Sequence, residues 1–373
     1  MPLHELSFSG FRNLGPSKLT PALRTNLFYG ENGAGKTSVL EAIHTLSLGR
    51  SFRTTSFQKV INYELSDAVV SGVFSGFASS NSSPIRIGVQ RTKLGEVTAK
   101  AGGENLATVG ELARYIPLQL LEPHSFQLLE GSPKLRRSFM DWGVFHVKHE
   151  FHSLWIRYQR CLKQRNTVLK RGKMGGLSAV SQLEVWDTEL VTLAEQIDQV
   201  RQEYLAAFRP HFDKVCEQLI DFGSVELGYF KGWAKDQPFA EVLKEDQYKD
   251  QEIGYTRKGP HRADLRLKLE GRAVQEILSR GQTKMLVFAL KLAQIETVSA
   301  LAERKPLVLI DDLPSELDGD HRQKVADLLY HSGVQLFVTG VARDSLEDHW
   351  PEGECKVFHV EHGAVSEVFH RTE

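Results

Sequence analysis

The sequence lacks long apolar runs, paired cysteines and any charge imbalance, and each absence removes a class of protein. No stretch of the 373 residues approaches the ~18 unbroken apolar residues of a membrane-spanning helix. The opening Met1-Pro2-Leu3-His4-Glu5 has no basic region followed by an apolar core, so no secretion signal is expected. Cysteine occurs three times, as Cys161, Cys216 and Cys355, with no CxxC pair. An odd, scattered set argues against a disulfide scaffold or a zinc site and suits a reducing compartment. Lysine and arginine number 46 against 47 acids, a formal net charge of -1. Bulk charge therefore announces no nucleic acid, and any such contact has to come from local clusters. Internal repeats are absent, and the only biased stretch is the serine-rich turn at 79–84. The remaining composition is that of an ordinary globular chain, expected to be soluble and cytoplasmic.

Three stretches carry chemistry. Asn26-Leu27-Phe28-Tyr29 reads as a strand, and a helical pattern starts near Lys36 with Val39, Leu40, Ile43 and Leu46. Between them lie Gly30, Glu31, Asn32, Gly33, Ala34, Gly35, Lys36 and Thr37, a GxxxxGK[ST] loop. The glycines let backbone N–H groups converge on phosphate oxygens at a helix N-terminus. Lys36 is placed to reach the β and γ phosphates, and the Thr37 hydroxyl to ligate Mg²⁺. Downstream, Leu307-Val308-Leu309-Ile310 reads as a buried strand that delivers Asp311 and Asp312 to its C-terminal end. Asp311 is the expected magnesium ligand, and Asp312 the general base or polariser of the attacking water. No NKxD tetrapeptide is present to read guanine, so the expected nucleotide is ATP.

The third stretch, Leu278-Ser279-Arg280-Gly281-Gln282, opens a helix and resembles the ABC-type signature LSGGQ. Its chemistry is that of a second phosphate-binding helix N-terminus, aimed in that superfamily at a partner's nucleotide. Ser315-Glu316-Leu317-Asp318 is similar to the D-loop of such dimers, with Asp318 the nucleotide-linked residue. Thr339, at the end of a 335–338 strand, stands where a γ-phosphate sensor is expected. Gln119 is a candidate magnesium-reporting glutamine, weighed against an ordinary strand residue. Arg12 and Asn13 are further candidates for nucleotide contact, while Arg50 and Arg53 could meet adenine, phosphate or DNA.

Around these motifs, β-like runs at 69–77, 85–90 and 97–101 predict an antiparallel β layer, and 263–269 a further strand. After Ser132-Pro133 the pattern turns helical. Trp155, Tyr158, Leu162 and Leu169 keep one face. A glycine-rich patch follows at 172–176. Trp186, Leu190, Leu193, Ile197, Val200, Tyr204 and Phe208 then form a heptad-like stripe up to Pro210. An antiparallel helical arm is expected, with two helices of an ordinary bundle as the alternative. The expected fold is α/β: an ABC-type P-loop ATPase head with an antiparallel β layer, plus an inserted α-helical arm. Residues 1–135 and 251–373 would form the head and 136–250 the arm. From Phe151 to Leu183 there is no acid, whereas Arg157, Arg160, Lys163, Arg165, Lys170 and Arg171 are basic; Lys134, Arg136 and Arg137 form a second cluster. Lys134, Arg136, Arg137, Arg157, Arg160 and Lys163 are the candidate DNA contacts, neutralising phosphates without reading bases. A solvated helix face is the alternative.

With these motifs in order the chain resembles the RecF family, bacterial recombination-mediator ATPases related to SMC proteins, over essentially its whole length. The sharpest local signs are the segment Gly131-Ser132-Pro133-Lys134-Leu135-Arg136-Arg137, the segment Gly259-Pro260-His261-Arg262-Ala263-Asp264-Leu265, and Ile310-Asp311-Asp312 followed by the 315–318 motif. One departure is visible: the family pattern carries an acid after the proline at 123, and here His124 follows it. The resemblance implies a homodimer when ATP is bound, sequence-independent binding of single- and double-stranded DNA at gaps or junctions, and slow hydrolysis that resets the clamp. It further implies loading of recombinase with RecO and RecR, and association with the nucleoid. Two other readings stay open, a P-loop phosphotransferase that uses the arm as a lid and an SMC-like scaffold with little ATPase activity.

Overall fold

Leu307–Ile310 and Gln335–Gly340 are strands in which every residue is buried, the condition of a parallel sheet covered on both faces. In the computed structural model, described for residues 2–76, 83–172, 179–302, 304–313, 317, 319–350 and 355–368, they lie at the centre of a six-stranded sheet. The strands are β1 (Leu3–Ser9), β2 (Ser17–Leu19), β3 (Thr25–Tyr29), β4 (Asp67–Phe74), β5 (Ile85–Thr92), β6 (Val97–Ala101), β7 (Glu104–Asn105), β8 (Leu118–Leu121), β9 (Val225–Phe230), β10 (Asp264–Leu269), β11 (Arg272–Ala273), β12 (Leu307–Ile310), β13 (Gln335–Gly340), β14 (Cys355–Glu361) and β15 (Ala364–Val368). The longer helices are α1 (Lys36–Leu48), α2 (Pro133–Val147), α3 (Phe151–Gly172), α4 (Ala179–Leu219), α5 (Phe239–Ile253), α6 (Arg280–Leu301) and α7 (Gly319–Ser332).

By packing, the chain divides into one unit of residues 1–125 and 284–373 and a second of residues 126–283. The first unit holds two sheets. One has the order β15-β14-β3-β13-β12-β8, parallel from β14 through β8, and the other is the antiparallel layer β2-β1-β4-β5-β6-β7. Leu6, Phe8, Val70 and Val89 from the layer share one core with Val39, Ile43 and Leu46 of α1. The antiparallel layer and the strands expected at 26–29, 307–310 and 335–338 thus form, two of them extended to Thr25 and Gly340.

The second unit combines the helices with a three-stranded sheet, β11-β10-β9. Helices α3 and α4 run antiparallel: Arg157 pairs with Glu189 at 3.6 Å, and the Cys161 thiol donates to Trp186 O. Of the stripe read from Leu190 to Phe208, Leu190, Leu193, Ile197, Tyr204 and Phe208 are buried and Val200 is half-buried. The stripe does not stop at Pro210, because Phe212, Val215 and Leu219 continue the same buried face and α4 runs through the proline to Leu219. An interior proline removes one helix hydrogen bond at about 3 kcal/mol; three buried apolar side chains outweigh that. The expected domain boundaries after residues 135 and 250 both fall within this unit. Asp264 on β10 pairs with Arg136 on α2 at 2.8 Å, and β9 and β10 form a six-residue ladder, so segments on either side of those boundaries fold together. Among the described residues, no helix is long and apolar enough to cross a membrane.

Candidate active site

Strand β3 ends at Tyr29 and is followed by Gly30, whose φ is 150°. A Cβ there would sit 2.1 Å from Val360 O, so only glycine lets the chain turn beside β14. Gly33 and Gly35 also have positive φ, and α1 begins at Lys36. Glu31, Asn32 and Gly33 are exposed, as residues facing a ligand must be. The Lys36 ammonium folds back over the loop, donating to Gly30 O at 2.7 Å and Glu31 O at 2.9 Å. Burial pushes its pKa down, opposed by the charges of Asp312 and Asp311.

The carboxylates arrive from the neighbouring strands. Asp311 N–H donates to Leu121 O at 2.9 Å, which ties the end of β12 to the end of β8. Asp311 Oδ1 accepts from Thr37 Oγ1 at 2.9 Å and from Thr339 Oγ1 at 2.8 Å. Thr339 is fully buried, and its hydroxyl also accepts from Asp312 N–H at 2.8 Å. Asp312 itself has φ of 54°, a left-handed conformation rare for a residue with a side chain. Burial raises the Asp311 pKa, the two threonine hydroxyls oppose that rise, and Asp312 adds to it. The sequence motifs at 30–37, 311–312 and 339 therefore converge within hydrogen-bond reach. Among the described residues no three His, Cys, Asp or Glu side chains form a cage. Thr37 and Asp311 offer the few hard oxygen donors that suit magnesium, which binds through one or two protein oxygens plus substrate phosphates.

Two flanking residues serve the loop. Asn13 Nδ2 donates to Gly33 O at 3.2 Å and Ala34 O at 3.4 Å, and its Oδ1 accepts from Ser38. Arg12 makes a two-pronged pair with the buried Glu41 at 2.9 and 2.7 Å and donates to Lys59 O. Arg12 thus anchors α1 rather than offering a free guanidinium. Glu41 also accepts from Ser51 and lies 3.7 Å from Arg53, whose charge lowers the Asp311 pKa.

Gln119 requires a correction. It pairs in register with Val308, three strand positions before Asp311 and so about 10 Å back along the sheet. Its side chain is buried and donates to Gln294 at 2.7 Å. In place of the expected position beside Asp311, Gln119 ties β8 to α6. The sequence reading missed Glu122, which follows β8 beside Asp311. Burial raises its pKa against the pull of His124 and Lys291, and burial lowers that of Lys291 to about 8. The signal was available: an acid just past a buried run, as at Asp311.

The signature segment lies in the second unit. Ser279 N–H donates to Gln282 Oε1 at 2.9 Å and Gln282 N–H to Ser279 Oγ at 3.3 Å, a reciprocal cap at the start of α6. Arg280 and Gly281 are exposed, and nothing lies within 4 Å of a Cβ built on Gly281. Asp318 lies outside the described residues.

The basic clusters split. Arg136 is buried, bound to Asp264 at 2.8 Å and to the carbonyls of Leu129 and Gly131. It braces α2 against β10 and is withdrawn from the expected DNA set. Arg165 is likewise fully buried between Asp187 and Asp250. Arg137 is partly buried and donates to Ala263 O at 2.7 Å. Lys134, Arg157, Arg160 and Lys163 are exposed.

The family model described as the RecF/RecN/SMC N terminal domain matches residues 2–366. The DNA replication and repair protein RecF of Cellvibrio japonicus (strain Ueda107) is 44% identical over 98% of this chain and 99% of its own. That of Pseudomonas aeruginosa (strain LESB58) is 43% identical over 99% and 98%. The solved structure of the recombination mediator protein RecF-ATP in the RecFOR pathway superposes with a TM-score of 0.86 at 25% identity, covering 99% of this chain and 98% of that one. An SmcHead bound to the C-winged helix domain of ScpA shares the fold, with a TM-score of 0.62 at 17% identity over 99% of this chain and 98% of its own. The architecture is that of an ABC-type ATPase head with a helical arm, and on a match that runs from residue 2 to residue 366 the chain belongs to the RecF family.

Proposed function

We propose that this chain is an ATP-driven switch in recombinational DNA repair and replication-fork maintenance: ATP joins two copies on DNA, and slow hydrolysis separates them. The observation that carries this reading is the meeting of Thr37 and Thr339 on one oxygen of Asp311, with Lys36 over the adjoining loop. Together these groups form a phosphate cradle beside a water-polarising carboxylate. Thr37 and Asp311 would hold magnesium, which when bound neutralises charge on the phosphates. Lys36 would exchange its two loop carbonyls for phosphate oxygens. Asp312, fixed through its N–H by Thr339, would orient the attacking water and take its proton. Ser279, with open space at Gly281, would close on the nucleotide of a second copy, so that neither site is complete alone. Lys134, Arg157, Arg160 and Lys163 would supply phosphate contacts that read no sequence. The solved RecF–ATP relative belongs to a RecFOR pathway, and by kinship RecO and RecR are the expected partners here, with recombinase loading the outcome.

Sedimentation of the Asp312→Asn variant tests the reading. With ATP, magnesium and short DNA, a dimer should form and persist because the water is no longer activated. A monomer that binds ATP under all conditions would refute the clamp.

A further inference from the structure

The segment Gly259–Leu265 is among the most distinctive in the sequence, yet the ATP site uses none of it. In the second unit this segment borders a cleft of about 420 Å³, a size that suits a small ligand group. Phe230, Trp233, Tyr255, Arg257, Lys258 and Arg262 line it. Arg262 lies over the Tyr255 ring at 5.8 Å, and Tyr255 is 44% exposed. Two acids lie behind the cations: Asp246 is mostly buried and faces Arg257 at 3.0 Å and Lys258 at 3.3 Å, and Asp250 is buried beneath Arg257 and Arg165. No carboxylate lines the cleft.

The loop is held rigid from behind. Arg165 Nη1 donates to Thr256 Oγ1 at 2.8 Å, and Thr256 N–H donates to Asn166 Oδ1 at 2.8 Å. Arg201 Nη1 donates to Pro260 O at 2.9 Å. His261 Nε2 donates to Thr256 O at 3.1 Å, which leaves Nδ1 to accept the Tyr158 hydroxyl at 2.7 Å. A Cβ on Gly232 would fall 2.0 Å from Gly259 O, so two backbones meet at the base of the cleft. Arg165, Asn166, Arg201 and Tyr158 thus hold Thr256, Pro260 and His261 from within, while Tyr255, Arg257, Lys258 and Arg262 reach solvent. Such support is what a preorganised binding surface requires.

We propose that this cleft binds a single-stranded segment of DNA, with a base stacked on Tyr255 and Arg262 and the flanking phosphates on Arg257 and Lys258. An exposed aromatic ring beside cations is the chemistry by which unpaired bases are held; Arg262 lies over that ring, while Arg257 and Lys258 would exchange their contacts with Asp246 for phosphate oxygens. An acidic peptide would use the cations and leave the ring uncovered; a duplex hides its base faces. The proposal rests on the DNA reading above and adds a site separate from the exposed cations of α2 and α3.

Fluorescence anisotropy of the full chain with a labelled twelve-nucleotide oligothymidylate and with a hairpin duplex tests it. Tyr255→Ala should weaken oligothymidylate binding about tenfold or more, Tyr255→Phe should not, and duplex affinity should hold in both. Lys258→Gln, which removes a phosphate contact, should lower the salt slope for the single strand by roughly 0.7. If Tyr255→Ala leaves the single strand unaffected while the wild type binds DNA, the cleft is refuted and the DNA reading stands. If polyglutamate displaces the oligonucleotide at equal charge concentration, the occupant is an acidic peptide and the proposal fails. If the wild type binds neither strand form, the DNA reading falls and the proposal with it.

Discussion

Thr339→Val removes one hydroxyl and nearly nothing else, which makes it a clean probe of the active-site framework. The native hydroxyl donates to Asp311 Oδ1 and accepts from Asp312 N–H, each at 2.8 Å, in a position with no solvent exposure. Valine fills the same volume but satisfies neither partner, so water cannot substitute. Losing a bond to a charged group costs about 1.5–3 kcal/mol, and orphaning a buried N–H costs about 1–3 kcal/mol, partly the same penalty. A total of about 2–3 kcal/mol follows, or a fall in Tm of roughly 5–10 °C for a unit of this size. Asp312, in its left-handed conformation, loses its tether. Among the described residues Asp311 Oδ1 keeps the Thr37 hydroxyl alone as a side-chain donor, so the magnesium concentration needed for ATP binding should rise about tenfold. Urea unfolding gives the first quantity, and calorimetric ATP titrations at graded magnesium give the second. Thr339→Ser should restore both. A valine variant as stable as wild type, with the same magnesium demand, would show that Thr339 is filler and that Asp311 is positioned otherwise.

Two further perturbations read the second unit. Gly143→Ala puts a methyl 2.1 Å from Tyr204 Oη, where α2 meets α4, and overpacking of this kind should lower stability by about 1–3 kcal/mol in urea titrations; an unchanged midpoint would mean the helices part freely. His146 is buried, which pushes its pKa down to about 3. Above pH 6.5 the ring is neutral in both states; below it only the unfolded chain takes up the proton, so stability falls as pH drops toward 3. The slope per histidine is at most about 1.4 kcal/mol per pH unit. His44 and His261, pushed down to about 4 by burial, act in the same sense. Comparing urea midpoints at pH 7.5 and pH 5, His146→Phe should lose part of the acid sensitivity; equal sensitivity in both proteins would place the titration elsewhere.

The parts of the active site legible in the sequence were those specified by short-range spacing. A glycine loop between a strand and a helix, or two acids after four apolar residues, leaves few geometries open. Gln119 failed because its role depends on register: whether it reaches Asp311 is decided by which residue of β12 it faces, and that is Val308. The arginines misread as surface charge carried a local signal. Arg165 falls seven residues after Tyr158 and four before Leu169, on the apolar face of α3, and Arg136 precedes Phe139 and Met140 in the same way. A cation in that phase is buried with a partner more often than it meets phosphate. Pro210 misled for the opposite reason, since local propensity argued for a stop and packing overrode it. The Tyr255–Arg262 cleft was invisible because its walls come from segments separated in sequence.

Strand β3 lies between β13 and β14, so Asn26 hydrogen-bonds Leu336 across 310 residues. A ribosome adds about 5–20 residues per second, and the nucleotide loop therefore waits roughly 15–60 s for the strands that flank it. Residues 126–283 emerge inside that interval and hold most of their contacts among themselves. The inserted lobe can finish folding on the nascent chain while the P-loop strand still has both edges open. Completion of the ATP site is then a late report that synthesis has reached the last strands, and a truncated product is left with an arm but no switch.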